Sequence, residues 1–425
     1  MLIEFSATNY RSIRETQTIS MASSRYYKGL EETNCFDTSI PGLPKLLRSA
    51  VVYGPNASGK SNLLRALQFM QHFVLSSHSY QEGQRINTAS FALAANTRSE
   101  PSEFEIFFVQ DNVRYQYGFA ATSARVTKEW LMAFPEGKPQ RWFERNYDAK
   151  ADKDEWYFGS KFTGRRQFWQ EATRKNALFL STAIQLNNEQ LKPVFNWFQR
   201  KLAVVLPGED INLKFSIDQC ESEAGKKQIM EFMNAADISI EGLEVKKMPF
   251  AAEMLPSDIP QGIKEQVIRD MQGKEMVTVR FQHQTDSGQS VSFDLSDESG
   301  GTQKLFTLAG PWLDVLANGR ILCVDELDTS LHPLMVRFLI ELIHNQEINK
   351  HHAQLIFTTH DTSVLDMEIF RRDQIWFMEK NRENASKLYP LSDFSPRKGE
   401  ALEKAYLKGR YGALPFIGEL RSNGH

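Results

Sequence analysis

The feature that most constrains this chain is a glycine-rich loop between an apolar run and a helix-forming segment. The loop reads Gly-Pro-Asn-Ala-Ser-Gly-Lys-Ser over residues 54–61 and satisfies the pattern GxxxxGK[ST]. It follows the apolar run 49–53 and precedes residues 62–74, where apolar side chains recur at helical spacing. A strand, loop and helix of this kind surround a phosphate with backbone N–H groups and a helix N-terminus. The pattern therefore predicts a phosphate loop in an α/β fold.

Each part of this loop has an expected role toward a bound nucleotide. Lys60 is expected to reach the β- and γ-phosphate oxygens, and the Ser61 hydroxyl is expected to hold Mg²⁺. Backbone N–H groups of the preceding residues are expected to wrap the β-phosphate. Those residues are Gly54, Asn56, Ala57, Ser58 and Gly59, and Pro55, which has no N–H of its own, belongs to the same nucleotide-binding loop.

A second candidate site is the apolar run 321–324, which ends in two acids, Asp325 and Glu326. A buried strand has no reason to end in this way unless the carboxylates face a cation or a reacting water. In a phosphate-loop enzyme Asp325 would bind Mg²⁺ through water, and Glu326 would orient and deprotonate the attacking water. We therefore interpret this strand as the catalytic partner of the phosphate loop.

Two further motifs are interpreted together with the acidic pair. The next strand, 355–359, ends at His360, whose neutral imidazole could hydrogen-bond a γ-phosphate. Alone, a histidine at a strand end is more often structural. Ser299, Gly300 and Gly301 form a second glycine-rich loop before an apolar helical run. Alone, that loop would be an ordinary turn, but the four motifs together form an ordered set.

The pattern along the chain predicts a three-part organisation. Alternating segments near the N-terminus, with a turn at Asp111-Asn112, predict an antiparallel β-meander. Two apolar strands separated by a helix, at 320–324 and 354–358, predict a buried parallel sheet. We expect residues 1–124 and 276–425 to form the two halves of one phosphate-loop NTPase head, a mixed sheet with helices. Residues 125–275, aromatic-rich and then largely helical, are expected to form an inserted lobe.

Composition restricts the remaining classes of function. Lys and Arg number 50 against 53 Asp and Glu, for a formal charge of −3, which argues against a basic coat for nucleic acid. Any DNA contact would be local. Three isolated cysteines exclude a disulfide framework and a readable zinc finger. We found no apolar run of the ~18 residues that span a membrane and no signal peptide, so we expect a cytoplasmic protein.

One local patch combines basic and aromatic residues in the way that grips nucleic acid. Its members are Lys161, Arg165, Arg166, Phe168 and Trp169. A solvated face beside an aromatic core is the simpler interpretation. No structural metal is predicted.

The order of the four motifs resembles the ATP-binding cassette ATPases, and among them the soluble SMC/RecF/OLD-like branch. Asn9, Tyr10, Arg11 and Ser12 resemble the N-terminal signature of that branch. The segments ESGGTQKL, VDELDTSLHP, LIFTTHD and KGRYGALPF are similar to the AAA-type ATPases of bacterial antiphage modules, of the AbiL/RloA kind, with the PARIS and Septu ATPases as relatives. The resemblance covers about 1–120 and 277–416.

This resemblance implies hydrolysis of ATP to ADP and phosphate with Mg²⁺. It implies that Ser299, Gly300 and Gly301 bind the γ-phosphate held by another protomer, and that Asp328 couples the two sites. A dimer or higher even oligomer is therefore expected, together with a separately encoded, nuclease-like effector that meets a partner-binding C-terminal tail. Two features depart from the pattern: Glu298 replaces the leucine of transporters, and the Mg²⁺-binding glutamine has only Gln84 and Gln110 as weak candidates.

Three alternatives remain. A RecF-like DNA repair or replication ATPase would need a continuous basic surface, which the near-neutral charge disfavours. Glu326 and His360 argue against a scaffold that binds ATP without turnover. The N-terminal strand and the C-terminal tail do not resemble a transporter subunit. Cleavage of nucleic acid is assigned to another chain, since no DxD motif follows His360.

Overall fold

A computed structural model of the chain describes residues 1–206, 213–250, 260–271, 275–394, 396 and 400–415. It divides the chain into two units. The first unit contains Met1–Glu209, Val315–Thr329 and Val336–His425. The second contains Asp210–Asp314 and Ser330–Met335.

The strands of the described residues form sheets within one unit or the other. In chain order they are β1 Leu2–Thr8, β2 Gln17–Ser20, β3 Cys35–Phe36, β4 Leu46–Leu47, β5 Ser49–Tyr53, β6 Ser102–Gln110, β7 Val113–Ala121, β8 Val126–Phe134, β9 Gln140–Asp148, β10 Lys153–Phe158, β11 Leu202–Val205, β12 Gly242–Pro249, β13 Glu275–Gln284, β14 Ser290–Asp294, β15 Ile321–Val324, β16 Gln354–Thr358, β17 Ile375–Lys380 and β18 Ser386–Pro390.

The α-helices of the same residues vary from single turns to four or five turns. In chain order they are α1 Glu31–Asn34, α2 Lys60–Ser76, α3 Arg166–Ala172, α4 Phe179–Gln185, α5 Lys192–Arg200, α6 Leu213–Gln219, α7 Glu223–Ala235, α8 Gln261–Met271, α9 Gly300–Asn318, α10 Pro333–His344 and α11 Leu402–Leu407. No helix in the described ranges is long and apolar enough to cross a membrane.

The first unit contains a seven-stranded antiparallel sheet in the order β10-β9-β8-β7-β6-β1-β2. Its hairpin between β6 and β7 turns at Asp111 and Asn112, whose φ angles are 51° and 58°. Positive φ at both central residues defines the turn whose twist matches that of the paired strands. The predicted β-meander and its turn are confirmed.

Helix α2 packs an aromatic face against this sheet. Its Phe69 ring lies 5.1 Å from that of Phe104, and its Phe73 ring lies 5.4 Å from that of Phe119. Phe73, Phe104 and Phe119 belong to one large core cluster of the first unit, and the partly buried Phe69 packs against it. Aromatic pairs at this spacing add to the free energy gained by burial. The sheet therefore fixes the helix that begins at Lys60.

A six-stranded sheet in the same unit has the order β11-β15-β16-β5-β17-β18, parallel except for β18. Every residue of β5, β15 and β16 is buried, as expected for a parallel sheet covered on both faces. Because these three strands are neighbours, their carboxyl ends bring Gly54, Asp325 and Thr359 to one edge. That edge is where ligands bind in open α/β sheets.

The unit boundary differs from the predicted domain boundary at residue 125. Strand β8 pairs with β7 from Phe134↔Arg114 to Val126↔Ala121 and continues the meander. Residues 126–206 therefore lie in the first unit. The aromatic residues that suggested a separate lobe pack on the meander instead, as shown by Trp197, whose ring lies 4.4 Å from that of Phe108.

The second unit contains α6, α7, α8 and an antiparallel sheet in the order β12-β13-β14. The Ser222 hydroxyl caps α7 by accepting a hydrogen bond from the Gly225 N–H at 3.0 Å. Helices α7 and α8 lie in the second part of residues 125–275, which we expect from the sequence to be largely helical. Of the three strands of this sheet, β12 and the first residue of β13 fall within residues 125–275, the region expected to be largely helical.

Candidate active site

The loop over residues 54–61 joins the buried strand β5 to α2. A Cβ at Gly54 would lie 2.2 Å from the Met378 carbonyl oxygen on β17. Gly59 has φ 114°, and a Cβ there would lie 2.1 Å from Ser386 Oγ. Only glycine fits both positions, because the backbone must pass this close and adopt this conformation. The steric requirement agrees with the two glycines of the predicted phosphate loop.

The other loop residues take different positions. Asn56 and Ala57 are exposed, and Ala57 adopts a left-handed φ of 61°. The Ser58 N–H donates to the Pro55 carbonyl at 3.2 Å. Ser58 Oγ is buried and finds no hydrogen-bond partner among the described residues. Ser61 lies in the first turn of α2, half-buried beside Lys60. The loop is thus a tight turn with an exposed tip at the N-terminus of a helix.

Lys60 folds back over the loop that precedes it. Its Nζ donates to the Gly54 carbonyl at 2.7 Å and to the Pro55 carbonyl at 3.2 Å. Burial lowers the pKa of Lys60, while the nearby Asp325 and Glu326 carboxylates oppose that shift. Because the ammonium is buried to 5% exposure and faces these acids, it supplies a fixed positive charge at the strand ends.

The N-terminal Asn-Tyr-Arg-Ser segment supports this loop from outside. Ser12 Oγ accepts a hydrogen bond from Asn62 Nδ2 at 2.7 Å and is hydrogen-bonded to Ser386 Oγ at 2.8 Å. Ser386 N also donates to the Ser12 carbonyl at 2.7 Å. Asn9 is buried and bonds the backbone of residues 91–101. The signature is therefore a structural clamp on the phosphate loop in this unit.

Asp325 follows β15 and is 5% exposed. Its Oδ1 accepts a hydrogen bond from Thr358 Oγ1 at 2.5 Å. Its Oδ2 is buried and has no hydrogen-bond partner among the described residues. A buried carboxylate oxygen without a partner is costly unless a cation or water completes it. This atom fits the predicted Mg²⁺ ligand, and carboxylate and hydroxyl oxygens are the donors that Mg²⁺ prefers.

Glu326 has a left-handed backbone, with φ 53°. Its N–H donates to Thr358 Oγ1 at 2.8 Å. A non-glycine residue in this conformation costs of order 1 kcal/mol and persists only where the surroundings hold it. The strained turn directs the chain away from the sheet directly after Asp325. Such strain agrees with a functional role for Glu326.

His360 connects the two sides of the site. Its ring Nε2 lies 3.2 Å from Lys60 Nζ, and its backbone N–H donates to Asp328 Oδ2 at 3.3 Å. Because the ammonium can only donate, Nε2 is the acceptor and the imidazole is neutral. Loss of hydration and then the Lys60 charge lower the pKa of His360, which keeps it neutral at pH 7. The structure thus brings Lys60, Asp328 and His360 together.

The Ser-Gly-Gly loop lies in the second unit. Ser299 Oγ caps α9 by accepting from the Thr302 N–H at 3.1 Å. A Cβ at Gly300 would meet no heavy atom within 4 Å among the described residues. The preceding Glu298 bonds His283 Nε2 at 2.8 Å. The structure places Ser299, Gly300 and Gly301 at an open helix N-terminus.

The two candidate glutamines lie elsewhere. Gln84 Oε1 accepts from the Gln81 N–H at 2.9 Å, in the loop that follows α2. Gln110 Nε2 donates to Asp111 Oδ1 at 2.8 Å, at the hairpin of the meander. Both side-chain amides therefore have local partners, and neither gains support as a Mg²⁺ ligand.

The two aromatic residues of the basic-aromatic patch differ in burial. Trp169 is buried, and its Nε1 donates to the Leu186 carbonyl at 3.3 Å. Phe168 is 48% exposed, and the Arg165 guanidinium lies 5.5 Å from its ring. Since Trp169 is committed to the core, Phe168 alone of this aromatic pair is available for stacking. This agrees with the simpler interpretation of a solvated face.

Sequence reasoning missed two residues that hold the site together, Thr358 and Ser386. Thr358 bonds both acids after β15. Ser386 Oγ donates to the Ser58 carbonyl at 2.6 Å. A hydroxyl in a strand carries no motif of its own. The signal for Thr358 was its place two residues before His360, on the strand that follows the acidic pair.

The fold and the site together define an ATPase of the ABC/AAA class. They combine a parallel sheet, a phosphate loop that leads into a helix, and strand ends that carry two acids and a histidine. The sequence model of the family described as "AAA domain, putative AbiEii toxin, Type IV TA system" matches residues 49–196 and 223–366. Since these ranges make up more than half of the chain, the chain belongs to this family. A comparison with curated proteins gave no match.

Several solved structures are similar to this chain over most of its length. The SMC head domain from Thermotoga maritima is 13% identical with a TM-score of 0.40, over 92% of this chain and 98% of that chain. An SMC head domain with an extended coiled coil, bound to the C-terminal domain of ScpA derived from Pyrococcus furiosus, is 13% identical with a TM-score of 0.41, over 96% and 98%. RecF-ATPrS, a recombination mediator protein, is 11% identical with a TM-score of 0.37, over 91% and 98%.

Proposed function

We propose that this ATPase hydrolyses ATP to ADP and phosphate with Lys60, Glu326 and His360 as its catalytic residues. The observation that carries the proposal is the convergence of these three side chains with Asp325 at one edge of the parallel sheet, linked by the Lys60–His360 contact of 3.2 Å. Phosphoryl transfer depends mainly on positioning and on neutralising charge. A fixed cation, two acids and a neutral imidazole at a phosphate loop supply both.

The roles follow from the charges and the open atoms of the site. Lys60 binds the β/γ oxygens, and the loop N–H groups bind the β-phosphate. Ser61 and Asp325 would hold Mg²⁺, which neutralises phosphate charge when bound. Glu326 orients and deprotonates the attacking water. His360, released from Lys60 when a γ-phosphate takes its place, hydrogen-bonds that phosphate and reports its presence.

We further propose that two protomers enclose two ATP molecules. Ser299, Gly300 and Gly301 would bind the γ-phosphate on the other protomer, which the open helix N-terminus and the resemblance to ABC ATPases support. Asp328 accepts from the His360 N–H, so it is suited to couple one γ-phosphate to the neighbouring site. A dimer or higher even oligomer follows.

The state of the nucleotide would control a separately encoded effector, nuclease-like in chemistry, in antiphage defence. The resemblance to the ATPases of antiphage modules supports this role, and so does the family description, which names an AbiEii toxin of a Type IV TA system. Helix α11 leads into the segment KGRYGALPF, the predicted tail motif, and lies next to the site. On this helix Glu403 Oε1 accepts a hydrogen bond at 2.8 Å from Thr362 Oγ1, and Thr362 lies two residues after His360. Phe416, the last residue of the predicted tail motif, lies outside the described residues.

A RecF-like repair or replication ATPase is the alternative function. It requires DNA to be gripped by a continuous basic surface. The formal charge of −3 and the burial of Trp169 favour effector control instead. A small neighbouring gene for a nuclease-like protein, whose product purifies with this chain, would support defence, whereas a replication operon would support the alternative.

The test of the catalytic assignment is Glu326→Gln. The variant keeps the shape of the side chain but removes the base, so we expect ATP binding to persist while hydrolysis falls by about 10²–10⁴-fold. Glu341→Gln is the matched control, because Glu341 is an exposed glutamate on α10 that pairs with Arg337. Phosphate release from Glu326→Gln at the wild-type rate would refute the assignment.

A further inference from the structure

Thr358, the last residue of β16, bonds both of the acids that follow β15. Its hydroxyl donates to Asp325 Oδ1 at 2.5 Å and accepts from the Glu326 N–H at 2.8 Å. Its carbonyl accepts from the Leu327 N–H at 3.1 Å. Thr358 is itself completely buried. One residue therefore bonds three consecutive residues at the turn after the acidic strand.

The sheet register explains why this residue is in reach. Strand β16 runs parallel to β15, with Phe357 opposite Val324. The next positions along each strand are Thr358 and Asp325, so a side chain at 358 faces the carboxylate directly. A hydroxyl has one proton to donate and lone pairs to accept with, so it serves the carboxylate and the N–H at once. Valine has the same shape but can do neither.

These bonds have separate consequences for the two acids. At Asp325 the hydroxyl occupies Oδ1, which leaves the buried Oδ2 as the oxygen without a partner among the described residues. At Glu326 it fixes the N–H of a residue whose φ is 53°. The hydroxyl thus selects which oxygen of Asp325 is presented and stabilises the strained backbone from which Glu326 projects.

The neighbouring Thr359 shows how differently a strand-end threonine can be used. Its Oγ1 accepts from the Asp361 N–H at 2.9 Å, a local turn of the kind that serine and threonine commonly form. Thr358 instead bonds residues 31 to 33 positions away along the chain. Its hydroxyl forms a contact between strands, directed at the site.

We propose that Thr358 is a positioning residue of the ATPase site, which sets the Mg²⁺-binding oxygen of Asp325 and the backbone of Glu326. This inference rests on the proposed function. Outer partners of metal ligands typically change metal affinity or activity by about 10–100-fold when they are removed. The effect of Thr358 is therefore expected on Mg²⁺-dependent nucleotide binding, besides its effect on turnover.

The experiment compares Thr358→Val with Thr358→Ser and Thr97→Val. Thr97 is another buried threonine of the first unit, whose hydroxyl bonds the Phe91 carbonyl at 2.7 Å and the Ala94 carbonyl at 3.0 Å. Affinity for a slowly hydrolysed ATP analogue is measured by calorimetry with Mg²⁺ and with EDTA. Thermal unfolding of each variant is measured alongside.

We expect Thr358→Val to reduce the Mg²⁺-dependent gain in affinity by about 10–100-fold and to leave affinity in EDTA unchanged. Thr358→Ser keeps the hydroxyl and should stay within about threefold of the wild type, and Thr97→Val should match the wild type. Should Thr358→Val fail to fold, Thr358→Cys decides by the same measurement, since a thiol is only a weak donor.

A wild-type response to Mg²⁺ in a folded Thr358→Val or Thr358→Cys protein overturns the inference and leaves the ATPase assignment intact. An equal loss in Thr97→Val also overturns it, because the effect would then be general destabilisation. A wild-type protein whose ATP binding does not respond to Mg²⁺ overturns the proposed function and the inference together.

Discussion

The phosphate loop and the Ser-Gly-Gly loop both join glycines to the N-terminus of a helix, yet the structure holds them in different ways. Gly59 is enclosed, with Ser386 Oγ and Ser12 Oγ within 3 Å of where a Cβ would lie. Gly300 has open space at the same position among the described residues. The first loop is fixed by contacts within its own unit, whereas the second presents a free backbone surface.

The same contrast holds for the polar side chains. Lys60 bonds two loop carbonyls and touches His360, and Asp325 is held by a threonine on the next strand. Ser299 bonds Thr302, at the start of its own helix. A catalytic group must be held by surrounding structure before the substrate arrives. A loop that serves a ligand on another molecule instead needs to remain accessible.

Among the effects on binding and stability that test this comparison, the largest is expected on nucleotide binding. Lys60→Ala should weaken ATP binding by about 10- to 100-fold, because hydrogen bonds to charged groups contribute about 1.5–3 kcal/mol. Calorimetric titration measures it. Lys192→Ala is the control, since Lys192 is an exposed lysine paired with Glu189. Unchanged affinity for ATP would mean that residues 54–61 are not the phosphate loop.

The next effect compares the two glycines directly. Gly59→Ala should lower the free energy of unfolding by about 1–3 kcal/mol, since Gly59 has a left-handed φ and the side chains of Ser386 and Ser12 lie where a Cβ would be. Gly300→Ala should change it by less than about 0.5 kcal/mol. Denaturant unfolding of both variants measures the difference. Equal destabilisation by the two substitutions would remove the distinction between an enclosed and an open loop.

The smallest effect concerns the outer clamp. Ser12→Ala removes the hydroxyl that Asn62 and Ser386 share, which should cost about 1 kcal/mol of stability. Thr16→Ala is the control, because its hydroxyl bonds Thr8 at the surface. Thermal unfolding distinguishes the two. If Ser12→Ala matched Thr16→Ala, the N-terminal signature would not support the phosphate loop.

Much of the first loop could be predicted from the sequence, because each requirement falls on a residue type at fixed spacing. Glycines mark the turn, a lysine opens the helix, and acids end an apolar strand. Thr358 and Ser386 could not be predicted in this way. Their roles depend on strand register, and on β18 returning beside the loop more than 300 residues after it, which no local pattern encodes.

The domain boundary shows what could not be predicted from composition. The aromatic-rich first part of residues 125–275 suggested a separate lobe, yet the rings of Trp142 and Trp197 pack on Tyr115 and Phe108 of the meander. Composition indicates that a segment has buried aromatic residues, but it does not indicate which sheet they pack against. Pairing along β7 and β8 decided the matter.

The central claim is that the enclosed loop binds ATP within one protomer and the open loop completes the site of another. Ser299→Arg tests it most directly, measured for ATP affinity and phosphate release on the same preparation. Ser222→Arg is the matched control, because Ser222 caps α7 in the same unit. A mixture of Ser299→Arg with Lys60→Ala protomers leaves one composite site intact and should recover activity, provided that one intact site suffices for closure.

We predict that Ser299→Arg binds ATP as the wild type does, while its hydrolysis falls by at least about 100-fold, the effect of losing a group that stabilises phosphate charge. Ser222→Arg should hydrolyse ATP normally. Hydrolysis by Ser299→Arg at the wild-type rate would contradict the account, because the Ser-Gly-Gly loop would then be only the cap of its own helix.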